Sequence, residues 1–516
     1  MATPKQSKRV AVIGSGISGL GAAWLLQNHS PHTVTVYEAE AYIGGHTHTV
    51  DYKPLHDKRR AEQHSVPVDT GFIVYNELTY PNLIAFFRHL RVATQPSSMT
   101  FAVSRDHGAF EWAGTSLLTL FGQASNLWRP SFWRMLYDVL RFNWLATDLL
   151  SLPETHPHRH NLSIGEYLDM HRYSQSFRDN YLIPMTAAVW STPMNKCALR
   201  FPAFTLIQFL HNHCLLSVVS RPQWRTVSQG SRSYVDHVTA GLDDLRPLTK
   251  VERVQRVYAD KAPRTLEGIR ITDASGQCEE FDYAIFATHA DQALAILGPD
   301  ATADEQQILG AFEFSQNRAV LHSDPTLMPA RSSLWSSWNY MMVSKAHCPG
   351  AVDRSGISLT YWMNELQNID ATKFGSIFVS LNPLEEPHPK QYFGEWVYTH
   401  PMMTSEAVDA QQRLARAQYG IPSAAGSQTF KNLTGTLFCG AWSNYGFHED
   451  GLTSGLRAAA ALGAECPFPI ADATKVRNVP IQSSQVIRFI FGLIDACTYR
   501  WGLVVLVVFG ALMALV

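Results

Sequence analysis

The residues best suited to chemistry sit in two places far apart in the chain. Near the start, Gly14, Gly16 and Gly19 form GxGxxG between two apolar runs. The three glycines serve in turn a tight turn, close approach of backbone to a diphosphate, and close packing of helix on strand. The helix opening at Ile17 and Ser18 then offers unpaired N–H groups and a positive dipole end to that diphosphate. Glu38 closes the following apolar run. A carboxylate there accepts hydrogen bonds from ribose hydroxyls and repels a 2′-phosphate. The expected ligand is an unphosphorylated adenine dinucleotide, NAD or FAD. Near the other end stand Gly440-Ala441-Trp442 and Gly446-Phe447-His448-Glu449-Asp450-Gly451. His448 is the residue type that can exchange a proton near neutral pH. Glu449, Tyr445, Tyr75 and Asn76 are further candidate polar groups for the reacting ring. Four of them have a structural alternative: loop support for His448, helix capping for Glu449, turn packing for Tyr75 and Asn76.

These groups need elements to hold them. The pattern predicts a strand at Ala11–Ile13, a helix over Leu20–Gln27 and a β-branched strand at Thr33–Tyr37. Three features favour FAD over NAD. Gly44-Gly45 follows Glu38, with His46 next, and lets backbone approach an extended nucleotide. The run Val66 to Phe72, with Thr70 and Gly71, reads as a strand and turn that bring backbone to a flavin ring. The C-terminal motif reads as strand, loop and helix over Leu452 to Leu462, giving Gly440, Asp450, Gly451, Leu452 and Thr453 a second helix dipole to work with. Leu127 to Leu150 reads as a long helical stretch starting near Pro130. It is core or the wall of an apolar tunnel, and Trp190, Trp338 and Trp362 are core or pocket wall. Lys53 to His64 reads as a surface loop, and so does Pro153 to His160. The alternating His156, His158 and His160 lack the cysteine or carboxylate companions of a metal site, so no metal is expected.

The 516 residues are 46% hydrophobic and 17% charged, enough apolar material for large cores. A formal net charge of −2 gives no global attraction for nucleic acid. Seven cysteines without a CxxC argue against a disulfide framework, a cysteine zinc site and a dithiol redox centre. The first residues carry no apolar leader. Trp501 to Val516 carries no charge and follows Arg500, which would mark the cytosolic flank. Sixteen helical residues rise about 24 Å against a bilayer core of about 30 Å. The expectation is a C-terminal membrane tail with the body in the cytosol; the alternative is a buried terminal helix.

GSGISGLGAAWLL with VYEAEAYIGGHT resembles the signature of flavin-containing amine oxidase-type proteins of the glutathione-reductase-like FAD superfamily. That family includes monoamine oxidases, phytoene desaturases and protoporphyrinogen oxidases. The resemblance covers nearly all of residues 9–465. VDTGFIVYNELTYPNL, IPMTAAVWSTP, RPQWRTVSQGSRSYV and GAWSNYGFHEDGLTSGL resemble a narrower NAD/FAD-binding subgroup that travels with cyclopropane-fatty-acid synthase-type methyltransferases. The resemblance implies an α/β fold, a Rossmann FAD-binding domain with an inserted α+β substrate domain and a hydrophobic C-terminal helix. It implies FAD-domain segments at 1–104, 222–300 and 430–475, substrate-domain segments at 105–221 and 301–429, and a tail at 476–516. Gly14, Gly16, Gly19, Glu38, Gly44 and Gly45 would hold the ADP half, with Val251 or Val254 on the strand beside adenine. The implied activity is hydride transfer between FAD and a lipophilic, unsaturated or methylated acyl substrate, giving dehydrogenation, desaturation or isomerisation. Amine or polyamine oxidation is the runner-up; a non-catalytic partner of a lipid methyltransferase is third. His46 stands where amine oxidases carry arginine and Ala441 where they often carry an acid, which weighs against amine chemistry.

Overall fold

In the strand Arg9–Ile13, alternate residues are buried on both sides: Val10 and Val12 on one, Ala11 and Ile13 on the other. A strand covered on both faces must be apolar throughout, as parallel sheets between helices require. It sits at the centre of a five-stranded parallel sheet in the order Asp244–Arg246, Thr33–Tyr37, Arg9–Ile13, Tyr283–Phe286, Thr436–Phe438. The structure is a computed structural model and describes residues 7–54, 65–190, 199–217, 222–259, 265–345, 348–419, 434–472 and 485–501.

Two helices cover one face of this sheet, Ile17–His29 and His448–Ala461. They cross closely because small residues line the seam. A Cβ at Gly455 would stand 2.0 Å from the Ser18 carbonyl oxygen, and one at Gly21 2.7 Å from Leu452 Cδ1. The other face carries helix Ala290–Leu297 and an antiparallel sheet of Val251–Tyr258, Leu266–Asp273 and Cys278–Phe281.

The second body is a seven-stranded mixed sheet in the order Tyr392–Pro401, Phe314–His322, Phe378–Leu381, Cys348–Trp362, Trp338–Lys345, Phe101–Arg105, Phe110–Ala113. The expected boundary between residues 104 and 105 falls inside the strand Phe101–Arg105, which pairs with Trp338–Lys345. Helices Pro130–Leu145, Ile164–Met170 and Ala203–Asn212 pack beside this sheet around Phe142, Phe177 and Phe209.

The expected helices are longer than their apolar patterns. The first begins at Ile17, directly after the glycine turn, and the last begins at His448 rather than Leu452. The Phe447 N–H donates to the Asp450 carboxylate at 2.9 Å, which caps the last helix one turn early. Leu127 to Leu150 divides into the helix Pro130–Leu145 with 3-10 turns at both ends. Its buried Phe132, Met135 and Phe142 are core. Within Pro153 to His160, Pro157–Asn161 forms a short helix with proline at its first position. Most of Lys53 to His64, and the tail beyond Trp501, lie outside the described residues. No helix among the described residues is long and apolar enough to cross a membrane.

Candidate active site

Ligands of such folds bind in the crevice outside the carboxyl edge of the parallel sheet. Gly14 turns the chain there with φ +106°, its N–H donating to the Tyr37 carbonyl at 2.8 Å. A Cβ at Gly19 would stand 1.9 Å from the Gly14 carbonyl oxygen, so the turn requires glycine at Gly19. Gly16 differs: a Cβ there would meet nothing within 4 Å. The helix it opens has no side-chain cap and no acid in its first turn. Open space in front of uncapped N–H groups is what a diphosphate needs.

Glu38 stands beside this opening. Its Oε2 accepts from Ser15 N at 2.9 Å and Ser15 Oγ at 2.6 Å, and its Oε1 from Glu40 N at 2.9 Å. A carboxylate retains lone pairs after such bonds and can still accept from ribose. Gly44 N donates to Ser15 Oγ at 3.2 Å, and a Cβ at Gly45 would stand 3.0 Å from Gly16 Cα. The two glycine loops therefore touch. Val251 and Val254 are buried in the sheet beside Glu38, while Thr249 N donates to the Glu38 carbonyl at 2.7 Å.

Thr70 and Gly71 follow a second hairpin, Thr49–Tyr52 with Val66–Asp69. Phe72 N donates to the His46 carbonyl at 2.8 Å, and a Cβ at Gly71 would overlap that same oxygen. Asp69 anchors the hairpin. It accepts from Thr49 Oγ1 at 2.6 Å, Ser231 Oγ at 2.7 Å and Gln367 Nε2 at 2.9 Å, and burial lifts its carboxyl to about 6.

The C-terminal motif behaves differently from its sequence reading. His448 is held with Nε2 2.7 Å from Tyr234 Oη and 3.2 Å from Thr47 Oγ1, and its ring stacks on Phe72 at 3.6 Å. Burial pushes His448 down to about 3, so it is neutral at pH 7 and is no ready proton donor there. Glu449 points away from the crevice. Its two oxygens accept from Asn82 N at 2.9 Å and Leu83 N at 2.8 Å, capping the helix Pro81–His89. Asp450 is spent on its own helix and on Asn444 Nδ2, at 2.8 Å. Gly451 faces Ile17, Leu452 faces Gly21, and Thr453 Oγ1 accepts from Asn82 Nδ2 at 2.8 Å. These residues build the helix seam. Gly440 donates its N–H to Ser454 Oγ at 2.9 Å and leaves no room for a side chain against Trp442.

Three other candidates lie elsewhere in the fold, and Tyr445 lines a cavity of about 1360 Å³ with Gln208, Asp450 and Arg457. Tyr75 is core between Tyr80 and Phe87. Asn76 Oδ1 accepts from Leu78 N and Thr79 N, both at 2.9 Å, forming a buried turn. Tyr445 lies among the helices, its Oη donating to Gln208 Oε1 at 3.1 Å.

The structure adds two histidines that motif reading passed over. His289 follows the strand Tyr283–Phe286, and His400 lies on the edge strand Tyr392–Pro401. Their rings approach His46 at 6.1 and 5.3 Å, and Tyr398 approaches it at 5.2 Å. Asn317 Nδ2 donates to His400 Nδ1 at 2.9 Å. Burial first, then the neighbouring imidazoles, lowers His46 and His289 to about 4 and His400 to about 3. The two sheets thus meet across a wall of neutral imidazoles. Among the described residues no group of three or more His, Cys, Asp or Glu could hold a metal ion.

Residues 12–90 match the family described as NAD(P)-binding Rossmann-like domain. The first 90 residues therefore carry a Rossmann-like dinucleotide domain. This domain sits in a fold shared with solved structures of low identity. A CLA-producing fatty acid isomerase from P. acnes aligns over 90% of this chain and 100% of its own, with a TM-score of 0.59 and 13% identity. A putrescine oxidase variant aligns over 88% and 98%, at 0.58 and 15%. Cyclohexylamine oxidase from Brevibacterium oxydans IH-35A aligns over 89% and 99%, at 0.54 and 15%. A tryptophan 2-monooxygenase from Allorhizobium ampelinum is 48% identical over 52 residues, which is 10% of this chain and 7% of that relative's length. The α/β architecture around the Rossmann-like domain is that of amine-oxidase-like structures. The uncapped helix, Glu38 and the touching glycine loops fit FAD.

Proposed function

We propose that this chain is an FAD-dependent oxidoreductase acting on a lipophilic substrate, an unsaturated or methylated acyl chain. The observation that carries the substrate class is the cluster of His46, His289 and His400, all neutral at pH 7, which joins the second glycine loop to the edge strand of the second sheet. An uncharged wall spares an acyl chain the large cost of covering a charge, and it gives a substrate ammonium no counter-charge. The fatty acid isomerase with the same fold supports the same class.

Bound FAD supplies hydride acceptance and return at the substrate carbon. The protein supplies the rest. Gly16 and the first turn of its helix seat the diphosphate, and Glu38 orients the ribose. The Gly71 turn and the stacked Phe72–His448 pair fix the backbone on the crevice side. His46, His289 and His400 exclude water without introducing charge.

Aerobic and anaerobic absorbance of the purified, FAD-loaded protein tests this reading. Anaerobic bleaching by membrane lipid extract, or mass-spectrometric detection of a shifted double bond, is the expected result. Bleaching by soluble amines alone would replace it with amine oxidation, which the amine oxidases of the same fold favour. A flavin that nothing reduces, with no product formed, would leave a partner role beside a lipid methyltransferase. We further propose that the uncharged Trp501 to Val516 run anchors the chain at a membrane where such substrates partition.

A further inference from the structure

The C-terminal helix Gln485–Trp501 has two unlike faces. One docks on the helix Pro130–Leu145. Phe491 packs on Tyr137 at 5.7 Å, and Asp495 accepts from Tyr137 Oη at 2.9 Å and from Arg141 Nη1 at 2.8 Å. Arg488 Nη2 reaches Asp148 Oδ1 at 2.9 Å. These contacts fix the rotation of the helix. The opposite face then holds Val486, Phe489 and Leu493 outward at helical spacing, with Phe489 66% exposed.

The outward stripe does not stand alone. Trp144 is exposed on the docking helix itself. At the other end of that helix, Trp133 Nε1 donates to the Leu127 carbonyl at 3.0 Å and its ring meets Phe121 at 5.4 Å. Those two contacts tie in the turn carrying Trp128 and the helix Leu117–Leu120. Trp128 and Leu118 are each 87% exposed. Single exposed apolar residues are ordinary, but several on connected elements mark an interaction surface.

The chain itself argues for the occupant. Trp501 to Val516, without one charge, leaves directly from the end of this helix. Wherever that run enters a bilayer, the helix before it must lie at the lipid surface. Tryptophans and an aliphatic stripe are the side chains suited to that depth.

We propose that the outer faces of Gln485–Trp501, Pro130–Leu145 and the Leu117–Trp128 segment form one surface that rests in a lipid bilayer. The body of the protein, and not the tail alone, then touches the membrane. This deepens the tail-anchor reading and has its own point of failure.

Hydrogen exchange on the full chain, loaded with FAD, tests it in buffer and on vesicles of phosphatidylcholine and phosphatidylglycerol. Amides in 117–128 and 485–495 are expected to slow at least ~3-fold on vesicles while Arg9–Ile13 stays unchanged. The double variant Leu118→Ser with Trp128→Ser should lose the slowing over 117–128 and keep vesicle flotation. Slowing confined to residues beyond 501 would overturn the surface and leave the tail anchor standing. Protection already present in buffer would show the chain's own tail covering the stripe, and protection rising with protein concentration would show a second copy; either overturns the proposal. Absence of any vesicle binding would overturn both membrane readings without touching the flavin assignment, which absorbance reads separately.

Discussion

Two strand–turn–helix units share the parallel sheet, their strands separated by Tyr283–Phe286 and their helices packed together, and their helix N-termini differ. The first helix opens at Gly16 with no cap and no acid in its first turn. The second opens at His448 with Glu449 and Asp450 in its first turn. A helix N-terminus is worth about half a positive charge. In the first unit it remains available to a bound anion. In the second, Asp450 within the first turn accepts from Phe447 N, while Glu449 serves a different helix. The second unit also braces the first, through the close crossing of the two helices.

The largest effect should come from the brace. Gly455→Ala puts a methyl 2.0 Å from the Ser18 carbonyl oxygen, and backbone on both sides must move. Overpacking of this kind costs about 3 kcal/mol or more. Thermal unfolding should show a loss of several degrees with FAD absent. Gly16→Ala provides the contrast, because its methyl meets nothing within 4 Å. Unfolding of the empty protein should barely change, while FAD affinity falls. Glu38→Gln should weaken FAD by roughly 10- to 100-fold, the scale of one charge-assisted hydrogen bond, and should also destabilise the empty protein, because its amide nitrogen cannot accept from both Ser15 and Glu40. If Gly16→Ala destabilised the empty protein as much as Gly455→Ala, the contrast between the two units would fail.

The first unit is readable in sequence because its requirements are local. Gly19 answers to the Gly14 carbonyl, Gly14 to Tyr37 and Glu38 to Ser15, all close in sequence, so one strand–turn–helix–strand motif captures them. The brace is not local. Glu449 meets Asn82 and Leu83 across most of the chain, and Gly455 meets Ser18 only once two helices cross. His46, His289 and His400 come from two loops and an edge strand, joined only where the two sheets dock. His448 could be picked out as a titratable residue, but the burial that suppresses its titration comes from Phe72, Tyr234 and Thr47, supplied by other segments.

The same contrast appears in pH dependence. Burial raises Glu449 to about 8, with the Asp450 charge adding, and burial raises Asp450 to about 7. A carboxyl whose folded pKa is raised binds its proton more tightly folded than unfolded. Its contribution is complete below about 4 and is lost as pH rises through 7 to 8. The pair titrates as a unit, so the apparent midpoints belong to both. The imidazoles run the other way. His46, His289, His400 and His448 are lowered to between about 3 and 4, so their contribution is complete above about 6.5 and is lost as pH falls towards 4. Stability of the empty protein should peak near pH 6 and fall on both sides. Glu449→Gln should flatten the alkaline side alone, and His400→Gln should soften the acid side alone. A stability curve that Glu449→Gln leaves unaltered would mean that the brace does not set the alkaline limit.

The smallest effect should come from Tyr445, the candidate furthest from the uncapped helix in role. Its hydroxyl donates to Gln208 at 3.1 Å, its carbonyl accepts from Trp190 Nε1 at 2.9 Å, and its ring packs on Phe209. Tyr445→Phe removes one neutral hydrogen bond and keeps the ring, so about 1 kcal/mol of stability should go. The rate of flavin reduction by any active substrate should stay within about twofold, since no proton at the crevice passes through this hydroxyl. A drop of tenfold or more in that rate with unfolding unchanged would return Tyr445 to the chemistry. The brace would then reach beyond the sheet, into the helices that pack around Phe209.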